Sequence, residues 1–140
     1  MTKPPLLQLA EGRRVRLRKP PRVRDKEIVL HKRVVRLLLQ VESPGWKFFH
    51  CANGEKRDAI TGAKLKAMGV LPGIPDLILI SPRGLFHGLE IKAQGGHLSE
   101  AQKRFQIWAA ANGVNYSVAD DFDQALAVLA AWGAIRELKG

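Results

Sequence analysis

The chain has 140 residues, 46% of them apolar and 26% charged, which is about one domain's worth and enough to bury a core without metal or disulfide staples. Its longest uncharged apolar stretch, around Ala125 to Ile135, falls short of the roughly 20 residues a membrane-spanning helix needs, and its single cysteine, Cys51, excludes an internal disulfide and cysteine-rich zinc sites. The net charge is +10, and +7 of it sits in residues 1–26, which hold nine basic and two acidic residues.

That distribution defines a basic arm, residues 1–25, ahead of a domain over residues 26–140. Arg13, Arg14, Arg16, Arg18 and Lys19 suit a polyanion, which they would bind by neutralising phosphates and releasing counterions. The alternatives are a solvated tail that aids solubility, or a basic edge strand carried by the Val15/Leu17 alternation.

Apolar residues at 28, 30, 34, 35, 38 and 41 predict a helix from Asp25 to Val41, ended by Pro44-Gly45. Trp46 to Cys51 reads as a strand, and Ala52-Asn53-Gly54 as a turn. Residues 55–69 read as loop with a short helix around 61–68. After Pro72-Gly73-Ile74-Pro75, a strand over 77–80, a turn through Pro82-Arg83-Gly84 and a strand over 85–92 form a hairpin. Ser99 caps a helix that ends near Asn112-Gly113. A strand over 114–119 and a helix from Phe122 to Trp132, capped by Asp121, complete the chain. The order is αβ(α)ββαβα. Residues 77–80 are apolar on both faces, so helices cover both sides of a central sheet, and the fold class is α/β.

The hairpin yields a geometric expectation. A three-residue loop favours a type I turn closed by a left-handed glycine, and Gly84 stands at that position. Ser81 then faces Leu85, Ile80 faces Phe86, Ile78 faces Gly88, and Asp76 faces Glu90. Two carboxylates opposite one another are destabilising unless a cation lies between them. Lys92, two residues beyond Glu90, shares that face, and Gly88 leaves room there for a substrate backbone. Two carboxylates, a lysine and the main-chain carbonyl of Ile91 form what Mg²⁺-dependent phosphodiester hydrolysis requires. The structural alternative is a salt bridge between Lys92 and Glu90 or Asp76 at the sheet edge.

Pro75-Asp76, thirteen residues, then Glu90-Ile91-Lys92 resembles the signature of the PD-(D/E)xK nuclease superfamily. Together with Gly73-Ile74 before it and Leu98-Ser99-Glu100-Ala101-Gln102 after it, the run resembles the VRR-NUC family over about residues 26–131. The resemblance implies a restriction-endonuclease-like core with a mixed sheet. It implies that Asp76 and Glu90 bind metal, that Lys92 positions the attacking water, and that Gln102 braces the site, although Gln102 could equally be a capping or surface residue. Glu27 aligns with a family glutamate on the first helix; its alternative is a solvated place in the first turn, favoured by the helix dipole. Glu42, at the helix end, is the other acidic candidate. His50, Lys56 and Arg57 resemble substrate-facing residues, the alternative for His50 being the structural role that a lone histidine at a strand end more often has. His87, expected on the opposite face, and His97, in the Gly95-Gly96 turn, are poor ligand candidates, and Cys51 has no cysteine–histidine arrangement around it.

The expected function is a Mg²⁺- or Mn²⁺-dependent DNA endonuclease, in which water attacks phosphorus in line and the 3′ oxygen leaves protonated, giving the 5′-phosphate that the family implies. Stand-alone members resemble phage and bacterial resolvases of four-way (Holliday) junctions that act as homodimers, so branched DNA and a second copy are the expected partners. Trp108, Trp132 and the alanine-rich last helix are apolar candidates for a dimer interface. No small-molecule cofactor is expected. With no secretory-type apolar run after Met1, the expected compartment is the cytoplasm of a bacterial or phage-infected cell. The rival reading is a non-catalytic basic nucleic-acid-binding module. A sequence-specific restriction-type nuclease is disfavoured because little chain remains for base-reading loops.

Overall fold

The computed structural model describes the backbone of residues 6–8, 14–16, 23–51 and 59–136, and the side chains of 26–51 and 60–136. Within the arm, strands β1 (Leu6–Gln8) and β2 (Arg14–Arg16) pair antiparallel, with Leu6 opposite Arg16. Residues 14–16 thus take the strand alternative. Helix α1 (Val23–Val41) begins inside the span expected for the arm.

Four strands form the central sheet in the order β3 (Lys47–His50), β4 (Leu77–Ile80), β5 (Phe86–Ile91) and β6 (Asn115–Ala119). The first two pairings are antiparallel and the last is parallel, so the sheet is mixed. A parallel pair cannot be closed by a tight turn, and helix α3 (Glu100–Ala111) supplies the crossover from β5 to β6. Helix α2 (Ala59–Ala67) lies between β3 and β4 in the chain, and α4 (Phe122–Trp132) follows β6. From α1 onward the elements and their order are those expected from the sequence; the β1–β2 pair in the arm precedes them.

Helices α1 and α4 cover one face of the sheet. Leu30, Val34 and Leu38 recur every four residues, so they form one stripe on α1, and they bury against Leu77, Leu79, Leu89 and Ile91 of the sheet and Leu129 of α4. Full burial of each such side chain contributes about 1.5–3 kcal/mol. His87 shares this face, its ring 4.8 Å from Trp46 and 5.1 Å from Trp132. Its Nδ1 lies 3.0 Å from the Leu85 carbonyl oxygen. Trp132 is therefore core, which removes it from the interface candidates, whereas Trp108 on α3 is 52% exposed.

The other face carries α3, with Phe105 against Phe86 and Tyr116, and the alternate residues of the β4–β5 hairpin. Gly84 adopts φ +80°, its N–H donates to the Ser81 carbonyl at 2.8 Å, and the Ser81 N–H donates to the Leu85 carbonyl at 3.0 Å. The ladder sets Ile80 opposite Phe86 and Ile78 opposite Gly88, the register the turn predicts.

Candidate active site

Asp76 precedes the first residue of β4, and continuing the ladder by one pair places it against Glu90. The two carboxyl groups share the face turned to α3. Asp76 is clamped through both its side chain and its main chain. Its Oδ2 accepts from the Ile91 N–H at 2.9 Å. Its carbonyl accepts from the Cys51 N–H at 3.0 Å and lies 2.8 Å from His50 Nδ1; since a carbonyl only accepts, Nδ1 carries the proton. His50 meets His31 of α1 edge-on, with ring centroids 4.5 Å apart. Burial, followed by the nearby His50, lowers the His31 pKa, and Asp76 opposes the shift.

Gly88 corrects an expectation. It is buried, and a Cβ added there would lie 2.6 Å from Pro75 Cγ. The space left by the missing side chain holds the Pro75 ring, not a substrate backbone. Pro75 thereby locks the residue before Asp76 onto the sheet. Gly73 serves a similar end: at φ +84°, a Cβ there would come within 2.3 Å of the Ala101 carbonyl oxygen. Only glycine allows the loop before Asp76 to pass so close to the first turn of α3.

Glu90 is fully buried. Its Oε1 accepts from Gln102 Nε2 at 3.0 Å, while its Oε2 is buried and accepts from no donor. Burial, then a hydrogen bond shared with the Asp76 carboxyl and its charge, opposed by Lys92, push its pKa up to about 9. Gln102 is oriented by the helix it starts. The Gln102 N–H donates to Ser99 Oγ at 3.2 Å, and Gln102 Oε1 accepts from the Ser99 N–H at 2.8 Å, a capping box. With its oxygen committed to the cap, its amide nitrogen points at Glu90. Gln102 therefore joins both alternatives, helix cap and brace.

Glu27, Asp76, Lys92, His97, Ser99 and Gln102 share the walls of an open cleft of about 580 Å³, with Lys66 of α2 also on its wall. Glu27 also adds to the rise of the Glu90 pKa, so the first-helix glutamate faces the site. Glu42 belongs to the far end of α1, where its backbone bridges Ile135. His97, set aside from the sequence as a turn residue, lines the cleft as well. Lys66 and His97 were missed because nothing in their local pattern distinguishes them from surface residues. Of the remaining sequence candidates, Arg14 and Arg16 are described only as backbone, and Arg13, Arg18, Lys19, Lys56 and Arg57 lie outside the described residues.

Among the described residues, no group of three or more His, Cys, Asp and Glu side chains converges as a metal cage. Mg²⁺ seldom uses such a cage, keeping several waters and taking one or two carboxylates. The buried Oε2 of Glu90 beside Asp76 is a hard oxygen donor that fits that habit. Among the described residues, no helix is long and apolar enough to cross a membrane.

Comparison with known proteins identifies the family. The model of the VRR-NUC domain matches residues 22–121. A solved structure described as a VRR_NUC domain is 19% identical, with a TM-score of 0.53, and the match covers 76% of this chain and 97% of that one; at that identity the likeness speaks for the fold. No curated protein matches the chain. A family match over most of the chain, on a restriction-endonuclease-like core, places this protein in the VRR-NUC family of nuclease domains.

Proposed function

We propose that the protein is a Mg²⁺- or Mn²⁺-dependent DNA endonuclease that cuts branched DNA, four-way junctions above all, as a homodimer. The observation that carries the metal dependence is Glu90. A buried carboxyl paired with a second carboxyl, holding its proton because burial and Asp76 push its pKa up to about 9, is a set of hard oxygen donors that a divalent cation would complete by displacing that proton. Asp76, Glu90 and the Ile91 carbonyl would hold the ion, with Glu27 completing the set from α1. A bound divalent ion would polarise a non-bridging phosphate oxygen and favour hydroxide over water in the cleft.

The chain's own residues supply the rest. Lys92, on the strand face of Glu90, orients the attacking water and offsets charge developing on the phosphoryl oxygens. Gln102 keeps Glu90 in one rotamer through a bond anchored in the α3 cap. Glu90 gives up its proton when the site is loaded, so occupancy falls as pH drops. The basic arm supplies phosphate contacts independent of sequence. A two-fold pair of such sites would nick symmetric strands of a junction.

The test is cleavage of a synthetic four-way junction beside linear duplex, flap and single strand, in Mg²⁺, Mn²⁺ and EDTA, with wild type and Asp76→Ala. Symmetric, metal-dependent nicks lost in Asp76→Ala, with binding retained, establish the resolvase. Cutting of flaps or linear DNA alone keeps the nuclease and discards the junction. Tight binding without cutting in either metal favours the non-catalytic module.

A further inference from the structure

Beside the cleft lies a second, larger groove of about 850 Å³, walled mainly by apolar side chains that include Phe86, Phe105, Trp108 and Val114. It is continuous with the cleft, since Lys66, Pro72, Ile74 and Ala101 line both. Trp108 is half exposed, and so is Leu71 on the facing wall. Trp108 and Phe105 stand 5.6 Å apart, centroid to centroid, their rings inclined by 48° to one another. The charged side chains lining the groove are Lys66 and Arg104, both exposed cations.

We propose that this groove holds unpaired bases of the DNA strand whose phosphate lies in the cleft, stacked on Trp108 and Phe105, with Lys66 and Arg104 on the flanking phosphates. The inference rests on the nuclease reading and narrows its substrate to branched DNA whose nucleotides unpair at the branch point, close to the scissile bond. Bases present apolar π-faces and the backbone presents anions, which is the pairing of chemistries these walls offer. Along α3, Trp108 stands about 10 Å beyond Ala101 at the cleft wall, about three stacked nucleotide rises of 3.4 Å. A two-fold contact between copies through this groove fits less well, since an isologous interface would bring the Lys66 and Arg104 cations of both copies together.

The test uses the full chain in EDTA, so that binding is read without cleavage. Labelled oligothymidylate, a duplex with a single-stranded tail and a fully paired duplex are titrated against wild type, Trp108→Ala and Trp108→Phe, with sedimentation of each variant. The expected result is that Trp108→Ala weakens oligothymidylate and the tailed duplex about 5- to 150-fold, the range for one lost base–aromatic stack. Paired duplex is unchanged, and Trp108→Phe retains most of the affinity. Equal affinity of Trp108→Ala and wild type for all three DNAs overturns the proposal. So does a parallel loss for all three that accompanies a change of oligomeric state, which would make the groove an interface between copies. Failure of wild type to cut any DNA in Mg²⁺ or Mn²⁺ is a separate result; it overturns the nuclease reading while the stacking measurement stands by itself.

Discussion

Replacing Glu90 by Gln should make the metal-free protein more stable while abolishing cleavage. In the fold, burial pushes the Glu90 pKa from 4.5 up to about 9, whereas the unfolded chain ionises near the ordinary value. Between these two pH values the unfolded state binds fewer protons than the folded one, so stability falls as pH rises, by up to about 1.4 kcal/mol per unit. At pH 7.5 the full penalty is about 4 kcal/mol, and relaxation around the site reduces it to about 2–4 kcal/mol. That is a large part of the 5–15 kcal/mol typical of a domain. Gln keeps the shape and the Oε1 acceptor for Gln102 Nε2 but carries no titrating proton. With a shift of about 3 °C per kcal/mol for a chain of this size, Glu90→Gln should melt about 6–12 °C above wild type at pH 7.5 in EDTA, and near wild type at pH 4.5. Taking the difference between the two proteins cancels the titration of His31, whose lowered pKa destabilises both folds as pH falls through its ordinary range. Millimolar Mg²⁺ or Mn²⁺ should then stabilise wild type alone, by about 2.7 kcal/mol at one hundred times Kd. Calorimetry of both proteins from pH 4.5 to 9, with and without metal, reads all of this. A stability difference between the two proteins that stays flat over that range, or a Gln variant less stable than wild type at pH 7.5, refutes the reasoning.

Three further substitutions separate scaffold from chemistry. Gly88→Ala drives a Cβ to within 2.6 Å of the rigid Pro75 ring and should cost about 1–3 kcal/mol in urea unfolding, with cleavage falling because Asp76 shifts; unchanged stability and cleavage would show that the ring does not hold Asp76. Gln102→Glu keeps the capping acceptor but sets another carboxylate against Glu90, so it should fold near wild type at pH 5 and lose stability faster than wild type as pH rises; parallel pH profiles would remove Gln102 from the site. Lys92→Ala should lower kcat about 10²–10³-fold with junction binding within a few-fold of wild type; an equal loss in KM and none in kcat would make Lys92 a binding residue only.

The elements and the hairpin register were legible in the residues because they rest on local rules. Leu30, Val34 and Leu38 recur at the helical period, Ser99 and Asp121 are caps, and Gly84 closes a loop whose length sets every pair from Ile80–Phe86 to Leu77–Leu89. That register alone puts Asp76, Glu90 and Lys92 on one face. What surrounds the pair was not legible, since it depends on segments that meet only in three dimensions. Gly88 reads as open space in the sequence, but Pro75, thirteen residues earlier, folds over it. The histidine pair of His31 and His50, the approach of Lys66 and His97 to the cleft, and the groove beside Trp108 arise where α1, α2, α3 and the loop before Asp76 converge. Hydrogen-bonding and periodic patterns act over a few residues and are written in composition and spacing. Burial of Glu90, and with it the strength of the site, is set by the packing of distant elements, which only the tertiary structure decides.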